Sequence, residues 1–193
     1  MQQRILAEAV ALTTQVGWAK VTMPALAART GVSRQTVYNE VGSKAHLAEL
    51  MVMQELQVFL EAVNAAFDAH RPDAVACIRA ATAGVMEVAQ DHALLRAIIG
   101  AEHGGAHGGA HGGASQLLPL LTSRGTGVQA AATEVLVMRL AECRIGRTHL
   151  VMAASTIVRL VLSNVTQPAG PASEVAEQVA WVAARLLPKL GDD

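Results

Sequence analysis

The chain has 193 residues, enough for one moderate domain or for a small domain joined to a larger one. Hydrophobic residues make up 52% of it and aromatics only 3%, so any core is built from Ala, Leu, Val, Ile and Met. That mixture favours helix, because Ala loses no side-chain entropy and Leu little. The net charge of -1 supplies no overall basic field for nucleic acid, and the excess of Arg4, Lys20, Arg29, Arg34 and Lys44 over Glu8, Glu40 and Glu49 near the N-terminus is slight. No run alternates strictly and no Asn-Gly or Asp-Gly joins two apolar stretches, which argues against hairpins and for an all-α fold. Cys77 and Cys143 lie far apart in apolar stretches and read as buried thiols of a reducing cytosol. Met1 to Arg4 lead directly into an amphipathic pattern without a signal-peptide core, and no stretch approaches the ~18 apolar residues of a membrane span. A cytoplasmic protein with no membrane partner is expected.

In chain order, a first helix is expected over residues 2–16, with Ile5, Leu6, Ala9, Leu12, Thr13 and Val16 as its buried stripe and Gly17 as its stop. Trp18 covers the core beneath. Thr22 caps a second helix that carries Pro24 in its first turn and stops at Thr30-Gly31. Val32 turns inward, Ser33 caps again, and a third short helix covers residues 34–40. Helix, glycine-containing turn, helix is the helix-turn-helix layout. After Gly42-Ser43 a long helix is expected over 44–69, with Leu47, Leu50, Met51, Gln54, Val58 and Val63 facing inward. Arg71-Pro72-Asp73 separates it from a helix through about residue 90, and a shorter one carries Leu94, Leu95, Ile98 and Ile99. Residues 103–114 repeat His-Gly-Gly-Ala three times, a composition suited to an exposed loop. Further helices are expected near 117–121, over 128–144, over 148–165 and, capped by Ser173, over 173–187.

From Thr22 to Lys44 the run Thr-Met-Pro-Ala-Leu-Ala-Ala-Arg-Thr-Gly-Val-Ser-Arg-Gln-Thr-Val-Tyr-Asn-Glu-Val-Gly-Ser-Lys resembles the TetR family of regulators. The likeness covers about residues 2–52 in sequence and the rest only in helix count and order. It implies an N-terminal three-helix DNA-binding domain over 1–45 and a helical ligand-binding and dimerisation domain over 46–193, acting as a transcriptional repressor on double-stranded operator DNA. Leu26, Val32 and Val37 would set the angle between the short helices so that the second enters a major groove. Arg34, Gln35, Thr36 and Asn39 then face base edges, Arg34 as a fork to guanine and Gln35 or Asn39 towards adenine. Thr22, Ser33, Tyr38 and Lys44 complete the expected DNA-binding set, with Thr22, Tyr38 and Lys44 read as phosphate contacts. Two positions depart from the family pattern. Val41 stands where an aromatic is common, and Glu40 where a base or His is common, setting a carboxylate that phosphates would repel unless it points away or is paired.

The resemblance also implies a homodimer through the last two long helices. Val151, Met152, Ile157, Val158, Leu160, Val161 and Leu162 surround most of the first, and Val179, Trp181, Val182, Leu186 and Leu187 do likewise in the second, so each needs partners on two sides. A pocket for a small lipophilic effector is expected among the middle helices, lined by Phe59, Met86, Leu94, Leu95, Ile98, Leu117, Leu118, Leu121 and Met138, with Val85, Ile99 and Val135 nearby. A metal-responsive regulator using His103, His107 and His111 is an alternative, but a glycine-rich loop holds no preformed geometry, and neither metal nor cofactor is expected. An enzyme is disfavoured: no nucleophile elbow, P-loop, Rossmann glycine pattern, His-Glu-x-x-His or Cys-x-x-Cys occurs, and nothing fixes Glu102 beside the loop histidines.

Overall fold

The computed structural model describes residues 1–92, 126–143, 145–146 and 149–187. These are helical nearly throughout: α1 (Gln2–Val16), a 3-10 turn (Trp18–Lys20), α2 (Met23–Thr30), α3 (Arg34–Val41), α4 (Lys44–His70), α5 (Ala74–Asp91), α6 (Thr126–Leu140), α7 (Leu150–Thr166) and α8 (Ala172–Leu186). The all-α expectation holds. The expected helices at 94–99 and 117–121, the His-Gly-Gly-Ala repeat and Glu102 lie outside the described residues. Two compact units are formed, one holding Met1–Glu55 and His92, the other Leu56–Asp91 and the described residues from 126 onward.

In the first unit the punctuation read from the sequence is present atom by atom. Gly17 takes φ 83, and its N–H donates to the Thr13 carbonyl at 2.9 Å to close α1. Thr22 Oγ1 accepts from the Ala25 N–H at 3.2 Å and Ser33 Oγ from the Thr36 N–H at 3.0 Å, so α2 and α3 each start on a side-chain cap. Ile5, Leu6, Ala9, Leu12, Trp18, Val21, Met23, Leu26, Val37, Val41, Leu47 and Met51 form the core, with Val32 half-buried against it. Val16 is exposed, because it occupies the last position of α1, where Gly17 turns the chain away from the core.

Along α4 the buried set is Leu47, Ala48, Met51, Val52, Leu56, Ala66 and Phe67, while Gln54 and Val58, expected inside, are exposed. The helix is rotated so that Ala48 joins the core, Val52 is buried and the Gln54 amide stays in water, where it avoids the cost of burying an unpaired polar group.

In the second unit α5 runs along α8. The buried stripe of α8 is Val175, Ala176, Val179, Ala180 and Ala183, small residues that allow a close approach to Cys77, Ile78, Ala81, Val85 and Met86 of α5. Asp73 Oδ1 caps α5 by accepting from the N–H groups of Val75 and Ala76, both at 3.0 Å. The helix expected to reach residue 144 ends at Leu140, where the N–H groups of Glu142 and Cys143 bond three residues back and tighten the last turn. Ser173 is not a cap: α8 begins after Pro171, whose fixed φ of -59 suits a helix entry, and Ser173 lies inside the first turn. Cys77 and Cys143 are both buried and unbridged, and burial is the main reason the Cys77 thiol is pushed up to about 12, which leaves it a poor nucleophile.

A charge cluster ties the end of α4 to the end of α6. Arg139 bonds Asp68 and the Asn64 carbonyl and lies 5.7 Å from the Phe67 ring centroid, and Arg71 bonds Glu142. The hydrogen bond from Arg139 holds the Asp68 carboxyl below its usual range, opposed by slight desolvation. A depressed folded-state value means stabilisation that is present at neutral pH and lost as pH falls through the carboxylate range. Thermal melts between neutral pH and about pH 3 are therefore expected to show a smaller acid-induced drop in melting temperature for Asp68→Asn than for wild type; equal drops would remove Asp68 from the acid response.

Candidate nucleic-acid interface

The exposed face of α3 follows from which face the core takes. Val37 and Val41 are fully buried beneath α1 and α2, and this turns Arg34, Gln35, Tyr38 and Asn39 outward together. Tyr38 is 50% exposed, which leaves its hydroxyl free to reach the surroundings. Gln35 Nε2 donates to Asn39 Oδ1 at 2.8 Å, one turn apart, so the two amides expected to meet adenine are held on one face. Thr36 is half-buried and its hydroxyl lies 2.9 Å from Ser33 Oγ, which places both at the N-terminal end of α3, where backbone N–H groups suit an anion. Thr22 is exposed at the start of α2.

Most nearby bases serve the scaffold. Arg4 Nη2 donates to the Thr30 carbonyl at 2.6 Å, satisfying the end of α2, and Arg29 pairs with Glu8 at 2.7 Å while reaching Gln15 at 3.3 Å. Lys44 Nζ donates to the carbonyls of Trp18 at 3.0 Å and Ala19 at 3.3 Å. The side chain of Glu40 is half-buried and forms no ion pair among the described residues, and its backbone carbonyl accepts from Gln2 Nε2 at 2.9 Å. Val41, smaller than the aromatic common there, is fully buried in the core. The long-range partners of Arg4, Arg29 and Lys44 carry no local sequence signal.

A family model described as "Bacterial regulatory proteins, tetR family" matches residues 5–51, and one described as "Bacterial Tetracyclin repressor, C-terminal domain" matches residues 73–185, more than half the chain. The chain belongs to the TetR family. It is a DNA-binding transcriptional regulator, from a family whose members bind operator DNA and are dimers, and whose described function is regulatory, not enzymatic. Among solved structures, the TetR family repressor AlkX from Dietzia sp. strain DQ12-45-1b, implicated in biodegradation of n-alkanes, is similar at 23% identity and TM-score 0.73, over 96% of this chain and 94% of that one. The R. erythropolis repressor QsdR is similar at 17% identity and TM-score 0.62, covering 100% and 97% of the two chains. The multidrug binding protein EbrR complexed with imidazole is similar at 16% identity and TM-score 0.63, covering 99% and 97%. At these identities the likeness is one of fold. No curated protein matches the chain.

Of the residues expected to line an effector pocket, Met86 is buried, Phe59 half-buried and Met138 56% exposed. Leu94, Leu95, Ile98, Leu117, Leu118 and Leu121 lie outside the described residues. An open surface groove of about 700 Å³ lies along the start of α7, lined by His149, Leu150, Val151, Met152, Ser155, Thr156 and Arg159. No group of three or more His, Cys, Asp or Glu side chains suited to a metal occurs among the described residues, and no described helix is long and apolar enough to cross a membrane.

Proposed function

We propose that this TetR-family regulator is a homodimeric repressor that reads a palindromic operator through α3 and is released from it by a small lipophilic ligand. The observation that carries the reading half is the outward face of α3: Arg34, Gln35, Tyr38 and Asn39 are exposed side by side on a helix anchored from below by Val37. Arg34 and the Gln35–Asn39 pair meet base edges, and Thr22, Ser33, Thr36 and Tyr38 meet or position the sugar-phosphate backbone. Residues 1–45 are the reading head, and residues 46–193 sense the ligand and dimerise.

The dimer rests on α7 and α8. Val151 and Met152 are 64% and 62% exposed and Trp181 is 59% exposed, more apolar surface than one buried helix face leaves in water. Two copies related by a twofold axis would cover it and set two heads one helical turn apart. A lipophilic ligand is supported by the apolar residues of the middle helices and by the subjects of the similar structures, one tied to n-alkane degradation and one called a multidrug binding protein. Because ligand and operator draw on one equilibrium, each must weaken the other by the same factor. Titrating the protein with n-alkanes and acyl compounds, with and without saturating duplex, tests this. Equal reciprocal shifts are expected; a ligand that binds equally well with and without duplex would refute the release mechanism.

A further inference from the structure

The chain has two cysteines, distant in sequence, and the fold brings them together. Cys77 lies near the start of α5, and Cys143 in the tight turn that follows α6. Both are buried and unbridged, and the two thiols hydrogen-bond to each other. Each also has a carbonyl in reach: Cys77 Sγ lies 4.0 Å from the Phe67 oxygen and Cys143 Sγ 3.8 Å from the Arg139 oxygen. Two thiols have two protons for these three contacts, so one is always left unmade.

The two sulfurs are not equivalent. Cys77 is 0% exposed, and burial above all pushes its thiol up to about 12. Burial also raises Cys143, helped by the Glu142 carboxylate, but there the bond from the Cys77 thiol favours the thiolate, as do the guanidinium groups of Arg71 and Arg139. Cys143 follows the exposed residues Ala141 and Glu142, past the last turn of α6, where a chain opens at low cost. It is the thiol of the pair that ionises and meets solvent first.

We propose that Cys143 and Cys77 form a redox modification site, attacking and resolving thiol respectively, at which a hydroperoxide closes a disulfide between α5 and the end of α6. The Cys143 thiolate attacks one oxygen of hydrogen peroxide. The O–O bond breaks, the leaving hydroxide recovers the thiol proton and departs as water, and the sulfur is left as a sulfenic acid. The Cys77 sulfur then attacks the Cys143 sulfur. An S–S bond forms, the S–O bond breaks, and the hydroxide takes the Cys77 proton and leaves as a second water. Two thiols lose two electrons and one peroxide gains them. Contact between the sulfurs gives Cys77 a high effective concentration, which offsets its small thiolate fraction. The bridge would tie α5 to an end of α6 already joined to α4 by the Arg139–Asp68 and Arg71–Glu142 pairs. Phe59, Met86 and Met138, three of the residues expected to line the effector pocket, stand on these same helices. The inference goes beyond the duplex-reading role and does not rest on it.

The test uses the full-length protein, reduced with a phosphine, freed of it and exposed to hydrogen peroxide. Intact mass and non-reducing peptide mapping are expected to show the loss of two hydrogens and one peptide pair joining Cys77 to Cys143, reversed by dithiothreitol. The oxidised protein is expected to melt several degrees above the reduced one, since the bridge restrains the unfolded chain. In Cys77→Ala the reaction stops at Cys143, which gains one oxygen and reacts with dimedone, whereas in Cys143→Ala the Cys77 thiol stays reduced. Two free thiols after an exposure that oxidises the same protein in guanidinium chloride would overturn the proposal. So would a bridge between two chains, a bridge that lowers the melting temperature, or dimedone on Cys77 instead of Cys143. Should either variant fail to fold, the wild-type mass, peptide map and melt decide the matter alone.

Discussion

Arg34→Ala is expected to weaken binding to the preferred duplex by about 5- to 150-fold, the ~1–3 kcal/mol of a bidentate contact with guanine. Arg34 is the first residue of α3, is exposed, and forms no ion pair among the described residues, so its removal leaves the fold untouched. Ser33 continues to cap the helix through the Thr36 N–H. The loss must also be selective: the variant discriminates less at one base pair of each half-site and as before elsewhere. Tyr38→Phe is the contrasting case, because a lost phosphate contact weakens all duplexes to a similar degree. Fluorescence anisotropy against duplexes carrying single base-pair changes separates the two behaviours. A uniform loss for Arg34→Ala across that panel would move Arg34 from base reading to backbone binding.

Leu26→Ala is expected to abolish duplex binding at temperatures where wild type binds fully. Leu26 is 0% exposed in α2, at the centre of the cluster that holds α3 in place. Removing its buried methyl groups costs about 3–5 kcal/mol, from lost transfer energy and the cavity left behind. A head of this size has a net stability of only a few kcal/mol, so most of it is consumed. Trp18, 3% exposed in the same cluster, reports the opening as a red shift of its emission when Trp181 is replaced by Phe. Leu26→Met, which conserves volume, is expected to cost less than about 1.5 kcal/mol and to retain binding. A Leu26→Ala protein that melts and binds as wild type does would show that α2 does not support α3.

The boundaries of the N-terminal helices were legible because their causes are local. Gly17, Thr22, Gly31, Ser33 and Gly42 act on the residues beside them through φ or through a cap, and the periodic apolar residues of α1 and α3 announce their buried faces. What was not legible depends on neighbours distant in sequence. The rotation of α4 that exposes Gln54 and Val58 is set by the core it meets, not by its own period. The early end of α6 accompanies the Arg71–Glu142 and Arg139–Asp68 pairs, which join residues 71 positions apart. Ser173 carries a strong cap preference, yet Pro171 opens the helix two residues earlier. In the N-terminal unit five bases suggest a faint positive field, but Arg4, Arg29 and Lys44 are bound to Thr30, Glu8 and Trp18. The exposure of Arg34, Gln35, Tyr38 and Asn39 as a group was legible because one short helix displays them. The expectation of an effector pocket rests on apolar composition alone, and most of its expected lining falls outside the described residues.

On the proposed reading, α3, aimed by α2, reads duplex DNA as one half of a symmetric pair. Repeated selection of bound duplexes from a random pool at low salt tests it most directly. Enrichment of an inverted repeat, with half-site centres about 10 base pairs or a multiple of that apart, is the predicted result. A pool that remains random after successive rounds, with the protein folded throughout, would contradict it.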